Sequence, residues 1–212
     1  MKVSTVFCLA LLFFSLGGQL ALAADVKLPP PQTEGGMGLF EAIKKRSSAQ
    51  GSSYNSAELS LEELSTVLWA ASGLNRPDKW TVPMAMGAKP YCKIYALGSD
   101  GAWLYDWADH SLKEVAKENL KPKVGAQDFV ERASYVLIFV SDPSGLKSFG
   151  EQKTQDQLAA VLVGAMTQDV YLAAAALNLK ARYVMSLKAP VVKEGLKLAD
   201  GENPLCLLVL GK

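Results

Sequence analysis

Residues 60–109 constrain the fold of this chain more than any other stretch, because they contain consecutive helix and hairpin signals. Ser60 and Glu63 have the spacing of a capping box, in which each side chain accepts a hydrogen bond from the other residue's backbone N–H. Gly73 is a common residue just past a helix end. An apolar face lies between them at helical spacing, made of Leu61, Leu64, Val67, Leu68 and Ala71. The sequence therefore predicts a helix over residues 61–72.

Two apolar runs after this helix predict a pair of antiparallel strands. They span residues 91–97 and 102–106, and the Gly-Ser-Asp-Gly between them is a hairpin turn signal. A loop with Asn75-Arg76-Pro77 and a turn at Pro83 connect the helix to the first run.

The rest of the chain adds short helices, further strands and one long apolar helix. Short helices are predicted over residues 38–48 and 126–132, and strands over 135–140, 182–187 and 205–210. A long helix over residues 155–177 ends at Asn178, which tolerates the left-handed conformation found at helix ends. We expect one α+β domain, with a mixed β-sheet and a long buried central helix.

The first 23 residues have the layout of a secretory signal peptide. Lys2 precedes an apolar run at residues 6–16, and Ala21-Leu22-Ala23 resembles a cleavage site. A retained membrane anchor is the alternative, although the run is shorter than the roughly 20 residues a span needs. We expect export to the periplasm or medium. Residues 24–37 then form a Pro/Gly-rich extended arm before the domain at 38–212.

Charge and cysteine content narrow the functional classes. The formal net charge is +1, and cleavage would remove Lys2 and bring it to zero. Neutral charge argues against nucleic acid or an anionic membrane as a partner. Two cysteines remain after cleavage, Cys92 and Cys206, which could pair in an oxidising compartment or stay buried as free thiols. With one histidine and no C-x-x-C pair, we expect no metal site.

The sequence of residues 60–109 resembles that of the nitroreductase family of flavoproteins, especially a small exported bacterial branch. The resemblance rests on Trp69-Ala70-Ala71, Asn75-Arg76-Pro77 and Tyr105-Asp106, and it extends over residues 40–211. It implies a three-layer fold, an intertwined homodimer and an FMN cofactor bound across the dimer interface. The electron donor and acceptor would be small molecules.

The family's phosphate-binding cluster corresponds here to Lys45, Arg46 and Ser47. Cations and a hydroxyl near a helix end can hold a dianionic phosphate. The last arginine of the family pattern is replaced by Ala49. Without the resemblance, these basic residues would be interpreted as a solvated last turn that complements the helix dipole.

The family's ring-edge loop corresponds to Pro83, Met84, Ala85, Gly87 and Lys89. Met84, Gly87 and Lys89 replace the serine, asparagine and glutamine of the family pattern. Each unsatisfied polar group on a buried flavin edge would cost about 1–3 kcal/mol, unless backbone groups or the Lys89 cation compensate. This departure favours loose flavin binding.

The long helix carries a third family element, in which Gly164 and Gln168 would lie against the flavin ring. Helix packing at Gly164 and a core hydrogen bond at Gln168 are the alternatives. His110 has no residue in the sequence pattern to orient it, which favours a turn position over a catalytic role. No catalytic residue is assigned.

Three function classes remain open. The first is an exported FMN-dependent oxidoreductase that reduces nitro, quinone-like or other acceptors. The second is a ligand-binding relative with a degraded flavin site and no redox turnover. The third is a structural or partner-binding dimer, because a fold can persist after its site is lost.

Overall fold

The structure is a computed structural model that describes residues 25–85 and 89–212. The predicted signal peptide at residues 1–23 and the ring-edge residue Gly87 lie outside this described part. The strands are β1 (Val26–Lys27), β2 (Leu74–Arg76), β3 (Lys79–Trp80), β4 (Cys92–Leu97), β5 (Ala102–Asp106), β6 (Ser111–Ala116), β7 (Tyr135–Ser141), β8 (Lys180–Val184) and β9 (Asn203–Gly211). The helices are α1 (Leu39–Lys45), α2 (Leu61–Ser72), α3 (Lys121–Val124), α4 (Gln152–Ala176) and α5 (Ala189–Gly195).

Seven of these strands form one sheet in the order β1-β6-β5-β4-β7-β9-β8, and β2 pairs with β3 separately. Every described pairing in the large sheet is antiparallel, so the expectation of a mixed sheet was wrong. The reason is connectivity. Hairpins join β4, β5 and β6, while β9 returns beside β7 in the opposite direction after α4 and β8.

The sheet is covered on both faces, which gives the three layers that the family resemblance implied. On one face, α2 and α4 pack against Ile94, Leu137 and Leu208. On the other face, α3 and α5 lie over Ile138 and Leu207. Strand β7 is central, and its residues 136–140 are fully buried, as a strand covered on both faces requires.

The local signals of helix α2 and the β4–β5 hairpin are confirmed. Ser60 Oγ accepts from the backbone N–H of Glu63, and the Glu63 carboxylate accepts from the N–H of Ser60 at 2.7 Å. In the hairpin, Leu97 is paired with Ala102.

The predicted helix over residues 126–132 was wrong. That segment contains only a 3-10 turn at Asp128–Val130, and the α-helical turn lies earlier, at α3. The backbone N–H of Ala126 donates to the carbonyl oxygen of Ser186 at 3.2 Å, so a tertiary contact holds the start of this segment out of a helix. Strand β8 also begins and ends earlier than the predicted 182–187.

Helix α4 is the long central element and ends as predicted, with Asn178 in the left-handed conformation at φ 56°. By length and composition this helix could cross a membrane. Here it packs on the sheet through buried residues that include Ala159, Leu162, Met166, Val170 and Ala174. It is therefore the core helix of the domain.

The Pro/Gly-rich arm is docked on its own chain. Strand β1 pairs with the edge strand β6, placing Val26 opposite Leu112. Leu28 is buried in the main core, and the backbone N–H of Gln32 donates to Thr66 Oγ1 of α2 at 3.0 Å.

Candidate functional site

One side of α4 forms a wall of a cavity of about 460 Å³, here called the α4 cavity, which strands β8 and β9 also line. Gly164 and Gln168, which the resemblance assigns to the flavin ring, lie on this wall one helical turn apart. A Cβ atom on Gly164 would meet no other atom within 4 Å. This glycine therefore opens into the cavity and does not serve a helix contact within the chain.

Tyr171 connects α4 to the segment after α1 and to β8. The backbone N–H of Tyr183 donates to Tyr171 Oη at 2.8 Å, and Ser48 Oγ lies 2.8 Å from the same oxygen. Because the tyrosine oxygen accepts from Tyr183, its own proton is available to Ser48. The Arg46 guanidinium lies over the Tyr171 ring at 5.2 Å from its centroid, within cation–π range. These contacts hold Arg46 and Ser48 beside the α4 cavity.

The predicted phosphate cluster is divided between two places. Arg46 is the residue just past α1, and it makes no ion pair with any residue that the structure describes. Lys45 pairs with Glu41 at 2.8 Å on the exposed helix surface. Lys45 and Ser47 line a smaller cavity of about 90 Å³, which shares only Tyr171 with the α4 cavity. None of the three predicted residues lines the larger cavity itself; Arg46 lies beside it, over the ring of the lining residue Tyr171.

The α4 cavity suits an anionic ligand better than a cationic one. None of its described lining residues is an aspartate or a glutamate, and Arg46 places a positive charge against Tyr171. Cys206 of β9 also lines the α4 cavity, and burial raises the pKa of its thiol to about 12. The thiol therefore stays protonated near neutral pH and is not a nucleophile.

The predicted ring-edge residues lie elsewhere in the same chain. Pro83 and Met84 line a separate cavity beside β3, and Ala85 packs against the main core. Lys89 is exposed, and Gly87 lies outside the described residues. The structure of one chain therefore does not bring the described part of this loop to the α4 cavity.

Two tyrosines of the site were missed in the sequence. Tyr171 follows Gln168 by three positions and Gly164 by seven, so helical periodicity alone places it on their face. That signal was available. Tyr183 reaches the cavity because β8 pairs with β9 at the sheet edge, a pairing that no local pattern indicates.

The fold belongs to the α+β class. It has an antiparallel sheet that is covered on both faces, and one long core helix whose Gly164 opens into a cavity. The nitroreductase family model matches residues 43–212, which is most of the chain. The chain belongs to the nitroreductase family.

Solved structures agree with this family. The chain is 28% identical to a candidate nitroreductase from Ralstonia eutropha JMP134, over 89% of each chain, with a TM-score of 0.82. A candidate nitroreductase from Anabaena variabilis ATCC 29413 is 20% identical with a TM-score of 0.72. That match covers 90% of this chain and 42% of the longer Anabaena chain.

A more distant match is an NADPH:FMN oxidoreductase from Vibrio harveyi complexed with NAD+, at 21% identity and a TM-score of 0.59. It covers 82% of this chain and 67% of that chain. The Anabaena and Vibrio likenesses show the fold alone. Comparison with curated proteins gave no match.

Proposed function

We propose that this chain is an FMN-dependent oxidoreductase that reduces a small acceptor, such as a nitro compound or a quinone, through its bound flavin. The α4 cavity is the observation that supports this best. It brings Gly164 and Gln168 together beside the Arg46–Tyr171 pair. Family membership and the fold shared with an FMN oxidoreductase point to the same chemistry.

The residues of this cavity suit two parts of FMN. Gly164 leaves space for a flat ring against the helix backbone, and about 460 Å³ is within the usual range for cofactor sites. Arg46 and Ser48 would hold the phosphate through charge-assisted hydrogen bonds. Contacts to the ring edge would depend on residues 83–89, which one chain places elsewhere.

A second copy of the chain would complete the site. Phe40 is 86% exposed and Ile43 50% on α1, Val161 is 74% exposed on α4, and Met185 is 63% exposed beside the α4 cavity. We infer that these exposed apolar side chains belong to an interaction face, since large exposed apolar surface marks such faces. A homodimer would cover it and supply the ring-edge loop of one copy to the cavity of the other.

When bound, FMN supplies the hydride and electron transfer. The chain's own residues would bind and orient it. Arg46 contributes positive charge, Gly164 gives close approach to the backbone, and Val163 and Leu205 exclude water from one side. No side chain of the cavity is assigned a proton-transfer role.

Export is the second part of the proposal. Residues 1–23 would direct the chain out of the cytoplasm and be removed, so that the mature protein begins at Ala24. Nicotinamide donors are scarce outside the cytoplasm, so a different reductant would serve the exported enzyme. Intact-mass measurement of secreted material tests this, and a retained leader would contradict it.

The flavin proposal is tested by titrating purified protein with FMN and recording the visible spectrum and flavin fluorescence. Arg46→Ala should weaken FMN binding by about 1.5–3 kcal/mol, the range for hydrogen bonds to charged groups. Lys44→Ala is the matched control, because it removes an equal charge from the exposed side of α1. Absence of FMN binding by the wild type would overturn the cofactor. Equal FMN affinities for both variants would remove Arg46 from the site.

One observation favours a ligand-binding relative without redox turnover as the second candidate. Met84 stands where the family pattern has a serine, so the serine hydroxyl is lost. Among the described loop residues, the Lys89 ammonium group is the one side-chain group that could hydrogen-bond in its place. Tight FMN binding without reduction by any donor would favour this candidate.

A further inference from the structure

A second cavity, of about 370 Å³, lies under the N-terminal arm and is called here the arm cavity. Arm residues 32–37 form one side of it, and residues of α1, α2 and α4 form the others. Gly35 and Gly36 have φ angles of 73° and 77°, which let the arm turn across the opening. The family match begins at residue 43, so the arm wall lies outside the matched segment.

Asp169 of α4 lies in this cavity and is only partly exposed. Its carboxylate makes no hydrogen bond or ion pair with any residue that the structure describes. Burial raises its pKa to about 6, and no nearby cation opposes that shift. A half-buried carboxylate without a partner is stabilised by a ligand that brings a positive charge.

The other charged lining residue is also acidic. Glu34 lies on the arm side, while α1 and α2 contribute no titratable group to the described lining. No lysine or arginine lines the cavity within the described residues. Both ionisable groups therefore favour a cation.

The remaining walls are mostly apolar. Trp69 of α2 provides an aromatic side chain, and Leu39, Leu172, Ala173, Ala176 and Leu177 provide aliphatic surface. Such walls would hold the hydrocarbon body of a ligand, and an aromatic ring also attracts cations.

We propose that the arm cavity binds a small organic cation, a primary amine with an aromatic or alkyl body, whose ammonium group pairs with Asp169. The body of the amine would lie against Trp69 and the aliphatic wall. Glu34 would add attraction at the arm side.

The two cavities flanking α4 therefore have opposite chemistry. Gln168 lies in the α4 cavity and its neighbour Asp169 in the arm cavity, because successive helical residues point about 100° apart. Among the described residues, the α4 cavity has an adjacent arginine and no lining acid, and the arm cavity has two lining acids and no lining base. The amine site is independent of the flavin proposal.

The test is calorimetric titration of purified protein with three probes of one shape: 4-phenylbutylamine, 4-phenylbutanol and 4-phenylbutanoate. The amine should bind at least tenfold more tightly than the alcohol, and the carboxylate should not bind. Equal affinities for amine and alcohol, or no binding of the amine, would overturn the proposal.

Asp169→Asn keeps the side-chain shape and removes the charge, so amine affinity should fall to that of the alcohol. Asp156→Asn is the control, since Asp156 is exposed near the start of the same helix. Unchanged amine binding in Asp169→Asn would assign binding to another place. Loss of dimerisation in that variant, without amine binding by the wild type, would show a second copy as the occupant and overturn the proposal.

The pH dependence gives a readout that needs no variant. The amine stays cationic throughout, whereas Asp169 becomes protonated below about pH 6. Lowering the pH from 7.5 to 5 should weaken amine binding about tenfold, with proton release on binding near pH 6. A pH-independent affinity over this range would contradict Asp169 as the partner.

Discussion

Ser65 Oγ lies 2.7 Å from His110 Nε2, in a network that fastens the N-terminal arm to the domain. The Ser65 hydroxyl donates to the carbonyl oxygen of Pro29 at 2.6 Å, so the imidazole N–H donates to Ser65. Tyr105 Oη lies 3.0 Å from His110 Nδ1, which then accepts the phenolic proton. Ser65 is fully buried, so this serine–histidine pair is structural and cannot act on a substrate.

The network requires a neutral imidazole. A proton on Nδ1 would turn the acceptor for Tyr105 into a donor and leave the phenolic hydrogen without its partner. Burial lowers the pKa of His110, and the nearby Lys27 ammonium of β1 lowers it further. Tyr105 of β5 stays protonated because burial raises its pKa.

The first prediction is that the arm loosens in acid. With its folded-state pKa below the ordinary value of 6.5, His110 contributes stability above pH 6.5 that is lost as the pH falls. The amides of residues 26–28 and of Gln32, which flank three prolines, should exchange faster at pH 5.5 than at pH 7.5, after correction for intrinsic rates. His110→Gln should flatten this dependence, and an unchanged pH slope in that variant would refute the role of His110.

The second prediction concerns the two described cysteines, which the structure shows free and buried. Cys92 on β4 and Cys206 on β9 are separated by β7, since Cys92 is opposite Ser141 and Cys206 opposite Phe139. Two strand spacings come to about 9.6 Å, beyond the reach of a disulfide. The chain without residues 1–23, which carry Cys8, should show two reactive thiols after denaturation and almost none when folded, if it is purified without reductant. Fewer than two thiols in the denatured protein would contradict this spacing.

The third prediction is that Asp169→Asn stabilises the protein near neutral pH. Burial raises the pKa of Asp169 from 3.8 to about 6, because the folded protein favours the protonated carboxyl group. The contribution of this group to folding stability is therefore present at low pH and is lost as the pH rises through 6. Partial exposure reduces the expected gain at pH 7.5 to about 1 kcal/mol. Thermal unfolding should shift upward by about 2–4 °C, with no shift at pH 3.5. A destabilised variant at pH 7.5 would mean that Asp169 has a cationic partner in solution.

The fourth prediction restores the ring-edge loop. Met84→Ser together with Gly87→Asn returns two polar groups of the family pattern and should tighten FMN by about 1–3 kcal/mol for each bond formed. Met84→Ala with Gly87 unchanged is the control for loss of the methionine alone. If the double variant folds but binds FMN no more tightly, the pocket is built for another ligand.

Short-range signals made much of this fold predictable. The capping box of Ser60 and Glu63, the hairpin pairing of Leu97 with Ala102 and the left-handed Asn178 each depend on residues close in sequence. Local backbone chemistry decides such features wherever the segment lies. The helical spacing of Gly164 and Gln168 likewise placed both on one face of α4.

Features that depend on contacts between distant segments were decided only by the tertiary structure. Strand order set the antiparallel sheet and the separation of Cys92 from Cys206. Packing placed Lys45 and Arg46 beside different cavities, and the path of the arm brought residues 32–37 and Asp169 to one cavity. These outcomes depend on which surfaces of the chain meet. Burial and long-range strand pairing decide which surfaces meet, and a local sequence pattern records neither.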